Sequence, residues 1–156
     1  MSVENVKNYL TEFGLEEKVK EFPVSSATVE LAAEAAGVIP ARIAKTLSFK
    51  TEDSAVLIVA AGDAKVDNRK YKDQFGMKAK MLTPEEVVEY TGHAIGGVCP
   101  FDLPDKNVTV YLDVSMKRFE TVLPAAGSSS SCVMLHLDEL EKASHSAGWI
   151  DVCKLI

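Results

Sequence analysis

Residues 41–61 read ARIAKTLSFKTEDSAVLIVAA, and this stretch decides the fold class. Ala55 to Ala61 is an unbroken apolar run of strand length, the pattern of a strand buried on both faces. Lys45 to Phe49 alternates weakly, and the KTEDS between the two segments has the polar character of a hairpin turn. A hairpin at the centre of the chain argues against a doubly wound sheet, in which each strand is followed by a helix. The spacing therefore predicts an α+β domain built on a mixed sheet.

Outward from this hairpin, helices and short strands follow without regular alternation. Val3, Val6, Tyr9, Leu10 and Phe13 recur at three- and four-residue intervals and predict an amphipathic helix ending at Gly14. Pro23, Ser25 and Ser26 mark a short strand or turn. A second helix is predicted over 28–36, closed by Gly37, and Pro40 can open a further helical turn. Asp67 to Phe75 reads as a polar helix ended by Gly76. Thr83-Pro84-Glu85-Glu86 is a helix start with a threonine cap, proline at the first position and glutamate three residues after the cap. That helix is expected to turn Val87, Val88 and Tyr90 inward and to stop at Gly92. Strands are predicted over 108–113, 122–126 and 132–137, the last two separated by Gly127 and four serines. Asp138 is expected to cap a last helix reaching His145, with a final strand over 149–153.

The 156 residues suit a single domain spanning 1–156. A net charge of −6 excludes a broadly basic nucleic-acid coat. Residues 65–80, KVDNRKYKDQFGMKAK, nevertheless carry six basic against two acidic side chains, the best local patch for a polyanion. Such a run is otherwise a solvated helix face. The three cysteines are far apart and odd in number, which points to a reducing compartment. With neither a basic-apolar leader nor a membrane-length apolar run, the expected location is cytoplasmic.

Metal and nucleotide chemistry find no support. His93, His136 and His145 lack ligand spacing, and neither a phosphate loop nor a dinucleotide fingerprint is present. The candidates that remain have two readings each. Lys45 either lays its stem along a strand edge in solvent or offers its ammonium to an ester, carboxylate or phosphate in a cleft. Cys99, in GHAIGGVCPFDLP (92–104), is either a nucleophile with His93 as base or a small side chain packed in a loop. Gly127 and Ser128 to Ser131 form a flexible hairpin or a segment that lets backbone approach a ligand.

Four segments together carry a family resemblance: AxxxGV followed by ARIAKTLSF, the strand with KVD, TGHAIGGVCPF, and YLDxS followed by AAG. Over about residues 24–140 the chain resembles the YbaK / prolyl-tRNA synthetase-associated domain family of free-standing aminoacyl-tRNA deacylases. The resemblance implies a compact, curved, partly open sheet packed with helices. It implies hydrolysis of the ester joining a wrong amino acid, commonly alanine or cysteine, to proline tRNA, with no cofactor. The implied partners are tRNA, through its acceptor end, and prolyl-tRNA synthetase; DNA and membranes are not implied. The family's lysine falls on Lys45, its GxxxP element on Gly96 and Pro100, its aspartate on Asp113 and its later glycine on Gly127. Cys99 and Asp102 stand where members often carry serine or threonine and glycine, and the four serines stand where a basic residue is frequent. These departures bear on amino-acid specificity more than on fold.

On this resemblance, Lys45, Gly96 and Gly97 are the expected catalytic positions. Lys45 orients the ester electrostatically, since an ordinary lysine is protonated near neutral pH and is a poor base. The glycines admit backbone close to the aminoacyl end, and Pro100 shapes the loop. Val98, Cys99, Pro100, Asp113, Gly127 and Ser128 are expected to contact substrate, with Cys99 as a pocket wall and not the attacking group. Lys65, Arg69, Lys70 and Lys72 are expected to contact the tRNA. A non-catalytic module binding a tRNA end or small ligand is the alternative, favoured if Lys45 faces away from the Gly96–Pro100 loop.

Overall fold

A computed structural model describes residues 2–104 and 107–156; Asp105 and Lys106, in the tail of the glycine-pair motif, lie outside it. The central hairpin forms as the sequence predicts. Strand β2 (Ile43–Lys50) pairs antiparallel with β3 (Ala55–Ala61), in register from Ala44 opposite Ala61 to Lys50 opposite Ala55. Every residue of β3 is buried, which explains why it shows no alternation.

Around this pair the sheet is curved, mixed and partly open, six strands wide in the order β8-β6-β2-β3-β5-β9. β5 (Thr109–Asp113) lies parallel to β3, and β9 (Trp149–Ile150) parallel to β5. On the other flank β6 (Thr121–Pro124) runs parallel to β2 and antiparallel to β8 (Leu135–His136). Two small antiparallel ribbons complete the strands: β1 (Val19–Glu21) with β7 (Ser131–Val133), and β4 (Ala64–Val66) with β10 (Cys153–Leu155).

Among the described residues, five α-helices pack around the sheet. α1 (Ser2–Thr11) buries Val3, Val6 and Leu10, the stripe its periodicity predicts. α2 (Val29–Ala36) is capped by the Thr28 hydroxyl and ends on Gly37 in the left-handed region. α3 (Asn68–Phe75) starts on Asp67, whose carboxylate accepts the Arg69 and Lys70 amides at 3.0 and 3.1 Å. Its one buried side chain, Tyr71, stacks between Phe49 and Phe75. α4 (Pro84–Thr91) carries the reciprocal Thr83–Glu86 capping box.

Three local expectations change. Val88 is 51% exposed, because α4 presents only the Val87 and Thr91 stripe to the core. The last helix, α5 (Leu137–Ser144), starts earlier than Asp138 suggests: His136 is the capping residue, and Glu139 accepts its amide at 2.9 Å. The segment after Gly127 does form a hairpin with β6, in one register from Thr121 opposite His136 through Val122 opposite Leu135 to a bridge between Ala125 and Cys132. It is not one strand, however: it breaks at Met134 into β7 and β8.

The coverage of β2 positions the site. β6 covers this strand only at Ile43 and Ala44. At the other end residues 80–82 cover it, the Lys50 amide donating to the Lys80 carbonyl (2.7 Å) and the Leu82 amide to the Ser48 carbonyl (3.2 Å). Between those two contacts no strand among the described residues covers the outer edge of β2.

Candidate functional site

A cavity of about 240 Å³ opens along that uncovered edge. β2 supplies Ile43, Lys45 and Thr46, and α2 with the segment before it supplies Ser26 and Val29. The glycine-pair loop adds Gly96 and Val98, and the far wall is Leu123 and Cys132. Met81 and Ile95, both more than 60% exposed, line it at its solvent side.

Lys45 is half-buried and lies on the stretch of β2 whose outer edge borders the cavity. Among the described residues its ammonium reaches only the Gly62 carbonyl, at 3.5 Å. Burial draws its pKa below the usual lysine range, while Cys153, Asp63 and Glu30 pull it part of the way back. Asp63 cannot neutralise it directly, because both its oxygens are held by Arg118 at 2.9 and 2.5 Å. Among the described residues no carboxylate forms an ion pair with Lys45. The cavity therefore presents a partly desolvated, unpaired cation.

Of the residues singled out in the sequence, Lys45, Gly96 and Val98 meet in this cavity. Lys45 thus shares one cavity with the glycine-pair loop. Gly97 plays a different part. A Cβ there would stand 2.7 Å from both the Ser128 amide nitrogen and Cα, so this glycine packs loop against loop. Gly127 has φ 93°, and the serines after it are tied to one another, with Ser128 donating to the Ser131 hydroxyl at 2.8 Å. Gly127 and Ser128 are thus a platform beneath Gly97 and do not themselves line the cavity.

Cys99 is fully buried and does not line the cavity either, which corrects its expected place as a pocket wall. Burial pushes its thiol up to about 12. Its sulfur lies 3.5 Å from His93 Nε2, but that nitrogen is 2.8 Å from the Phe101 carbonyl and must carry a proton to donate there. His93 therefore offers Cys99 no basic nitrogen, and the pair is a packing contact. Cys99→Ser is expected to keep single-turnover activity within ~3-fold, since the residue touches no reacting atom. A ~100-fold loss in that assay would restore it to the chemistry.

Pro100 lines a separate hollow beside Tyr9 and His145. Asp113 is buried away from the cavity and serves as a joint, accepting the Ser115 amide at 2.9 Å and the Val152 amide at 3.0 Å. Of the expected tRNA contacts, Lys65, Arg69 and Lys72 are exposed on β4 and α3. Lys70 is committed to Asp151 and the Cys153 carbonyl, both at 3.0 Å, so it fastens α3 to β10. Sequence reasoning missed Ser26, Thr46 and Gly62. Ser26 and Thr46 stand out only because their buried hydroxyls find no partner in the fold. No group of three or more metal-ligating side chains occurs among the described residues, and no helix there is long and apolar enough to cross a membrane.

Comparison with known proteins places this geometry. The aminoacyl-tRNA editing domain family matches residues 24–143, and the chain belongs to it. Domains of this class act in the editing of mischarged tRNA. The chain is 57% identical over 155 residues to the uncharacterized protein YwhH of Bacillus subtilis, covering 99% of this chain and 98% of that one. It is 28% identical over 113 residues to the proline–tRNA ligase of Thermotoga maritima, a match spanning 71% of this chain but only 20% of the ligase. A crystal structure of a proposed trans-editing enzyme for prolyl tRNA synthetase superposes with a TM-score of 0.88 at 31% identity, covering 98% of this chain and 97% of that one. The fold thus stands within a family of editing domains.

Proposed function

We propose that the chain is a trans-editing hydrolase that removes a wrong amino acid from proline tRNA, with alanine or cysteine as the amino acid released. The observation that carries this is the unpaired Lys45 ammonium in a small, largely apolar cavity beside Gly96 and Val98. Val29, Ile43, Leu123 and Val98 suit a small apolar or thiol side chain. Lys45 stabilises the negative charge that grows on the ester as it is attacked. No protein nucleophile is needed. Water adds to the acyl carbon, the acyl–oxygen bond breaks, and the ribose oxygen takes the proton; with cysteine, the substrate's own thiol can make the attack. The similarity to part of proline–tRNA ligase supports proline tRNA as carrier and the synthetase as partner.

Deacylation of a panel of mischarged tRNAs tests the proposal. Alanyl- or cysteinyl-tRNA(Pro) is expected to be hydrolysed well above the uncatalysed rate, and correctly charged prolyl-tRNA spared. Inactivity toward both, with the protein folded, would overturn it and leave the binding module of the same fold.

Exposed Lys65, Arg69 and Lys72 supply the contact to the acceptor stem. Affinity for tRNA is expected to fall as salt rises, and Lys72→Glu to flatten the log–log slope by about 1. Lys70→Glu is expected instead to lower thermal stability, because it breaks the tie to Asp151. A salt-independent affinity would remove this face from the interface.

A further inference from the structure

Thr46 stands on the uncovered edge of β2 with its main-chain groups aimed away from β3. The direction follows from strand parity. Ser48 and Lys50 turn their main-chain groups outward, to residues 80–82. Successive residues of a strand alternate sides, so Thr46 and Ala44 turn outward too, while Lys45, Leu47 and Phe49 turn to β3. The β2–β3 register runs without a bulge from Ala44 to Lys50, so the alternation holds at Thr46. Ala44 meets β6 and Ser48 meets Leu82, but no group among the described residues bonds the Thr46 amide or carbonyl from the cavity side. Its hydroxyl is also buried without a partner. So is that of Ser26, which is 7% exposed and lines the same cavity. Thr46 is only partly exposed, so an unpaired main-chain donor and acceptor along the cavity form a docking edge for a ligand that carries the complementary pair.

We infer that the main chain of Thr46 binds the aminoacyl group as a one-residue strand, its amide donating to the ester carbonyl oxygen and its carbonyl accepting from the substrate's α-ammonium. This rests on the editing function proposed above. An α-aminoacyl ester carries an N–H donor and a C=O acceptor on one residue, the set that a hydrogen-bonded antiparallel pair exchanges. The amide then points at the oxygen where negative charge develops, adding a neutral donor to the Lys45 cation. The arrangement divides the labour of recognition. The main chain of Thr46 holds the part common to every aminoacyl ester, and the cavity walls select the side chain.

Two measurements on the whole chain test this. The first is amide hydrogen exchange with 3′-alanylamino-3′-deoxyadenosine, a non-hydrolysable amide analogue, as the probe. In the free protein Thr46 is expected to exchange faster than Lys45 and Leu47, which bond to β3, and to slow by ~10-fold or more at saturating probe. The second replaces the Thr46 residue with its α-hydroxy acid counterpart, which exchanges the amide N–H for an ester oxygen and keeps the side chain. Single-turnover deacylation is expected to fall ~100-fold or more, with the melting temperature within ~2 °C because that amide has no partner in the free fold. Bound probe that leaves Thr46 exchange unchanged, or an ester variant within ~3-fold of wild type, overturns the inference. The exchange result stands apart from hydrolysis: protection at Thr46 in a protein that deacylates none of the panel supports the main-chain site while rejecting the editing function.

Discussion

Lys45→Ala is expected to lower single-turnover deacylation by ~100- to 1000-fold, the scale on which one well-placed electrostatic group contributes. The loss should fall on the chemical step more than on tRNA affinity, because Lys45 faces the cavity and the exposed cations of α3 do not depend on it. Stability should move the other way. A lysine whose folded pKa is lowered is held charged at neutral pH against its surroundings, so the wild-type fold carries a penalty at every pH below that value. The penalty fades as pH rises from the lowered pKa toward the unfolded value of 10.5. Lys45→Met, which keeps the stem and removes the charge, is therefore expected to melt at or above wild type at pH 7. That advantage should shrink as pH rises through the lowered value. An active Lys45→Ala enzyme would remove Lys45 from the site, and a Lys45→Met protein that melts well below wild type would contradict its description as an uncompensated cation.

Such a trade of stability for function is what makes the site hard to read from the chain. The hairpin of β2 and β3 was legible because burial on both faces writes an unbroken apolar run, and α4 because its capping box is a local chemical code. The glycine-pair loop stood out by composition, yet the role of each glycine was not legible. Gly96 lines the cavity and Gly97 does not, and only the approach of Ser128 to within 2.7 Å of a Cβ separates them. Cys99 and Asp113 match the motif and still sit outside the cavity. A motif fixes a loop's shape through residues that support it as well as residues that touch ligand. Thr46 is the opposite case. Its hydroxyl has an ordinary place in an ordinary strand, and what sets it apart is the missing neighbour along 45–47, a property of the topology of β6 and of residues 80–82. Nothing within β2 encodes where its partners stop.

Gly62→Ala is expected to be a severely damaging substitution. The turn from β3 to β4 brings this residue under the helical turn at Pro40–Arg42, where a Cβ would lie 2.1 Å from the Pro40 carbonyl oxygen and 2.7 Å from Val29 Cγ1. The first contact is with backbone, so a side-chain rotation cannot relieve it; the turn or the Pro40 segment must move. Overpacking of this kind costs ~3 kcal/mol, or more where the main chain cannot yield. For a chain of this length that is a fall of ~6–12 °C in melting temperature. The same substitution should reach the chemistry, because the Gly62 carbonyl lies in hydrogen-bond range of the Lys45 ammonium and Val29 is a cavity wall. Displacing both shifts the cation and widens the pocket together. Activity measured well below the new melting temperature should therefore drop by ~10-fold or more, with weaker discrimination between alanyl- and prolyl-tRNA. A Gly62→Ala protein with wild-type melting and selectivity would mean that the turn is looser than this packing allows, and that Lys45 is positioned from its own strand alone.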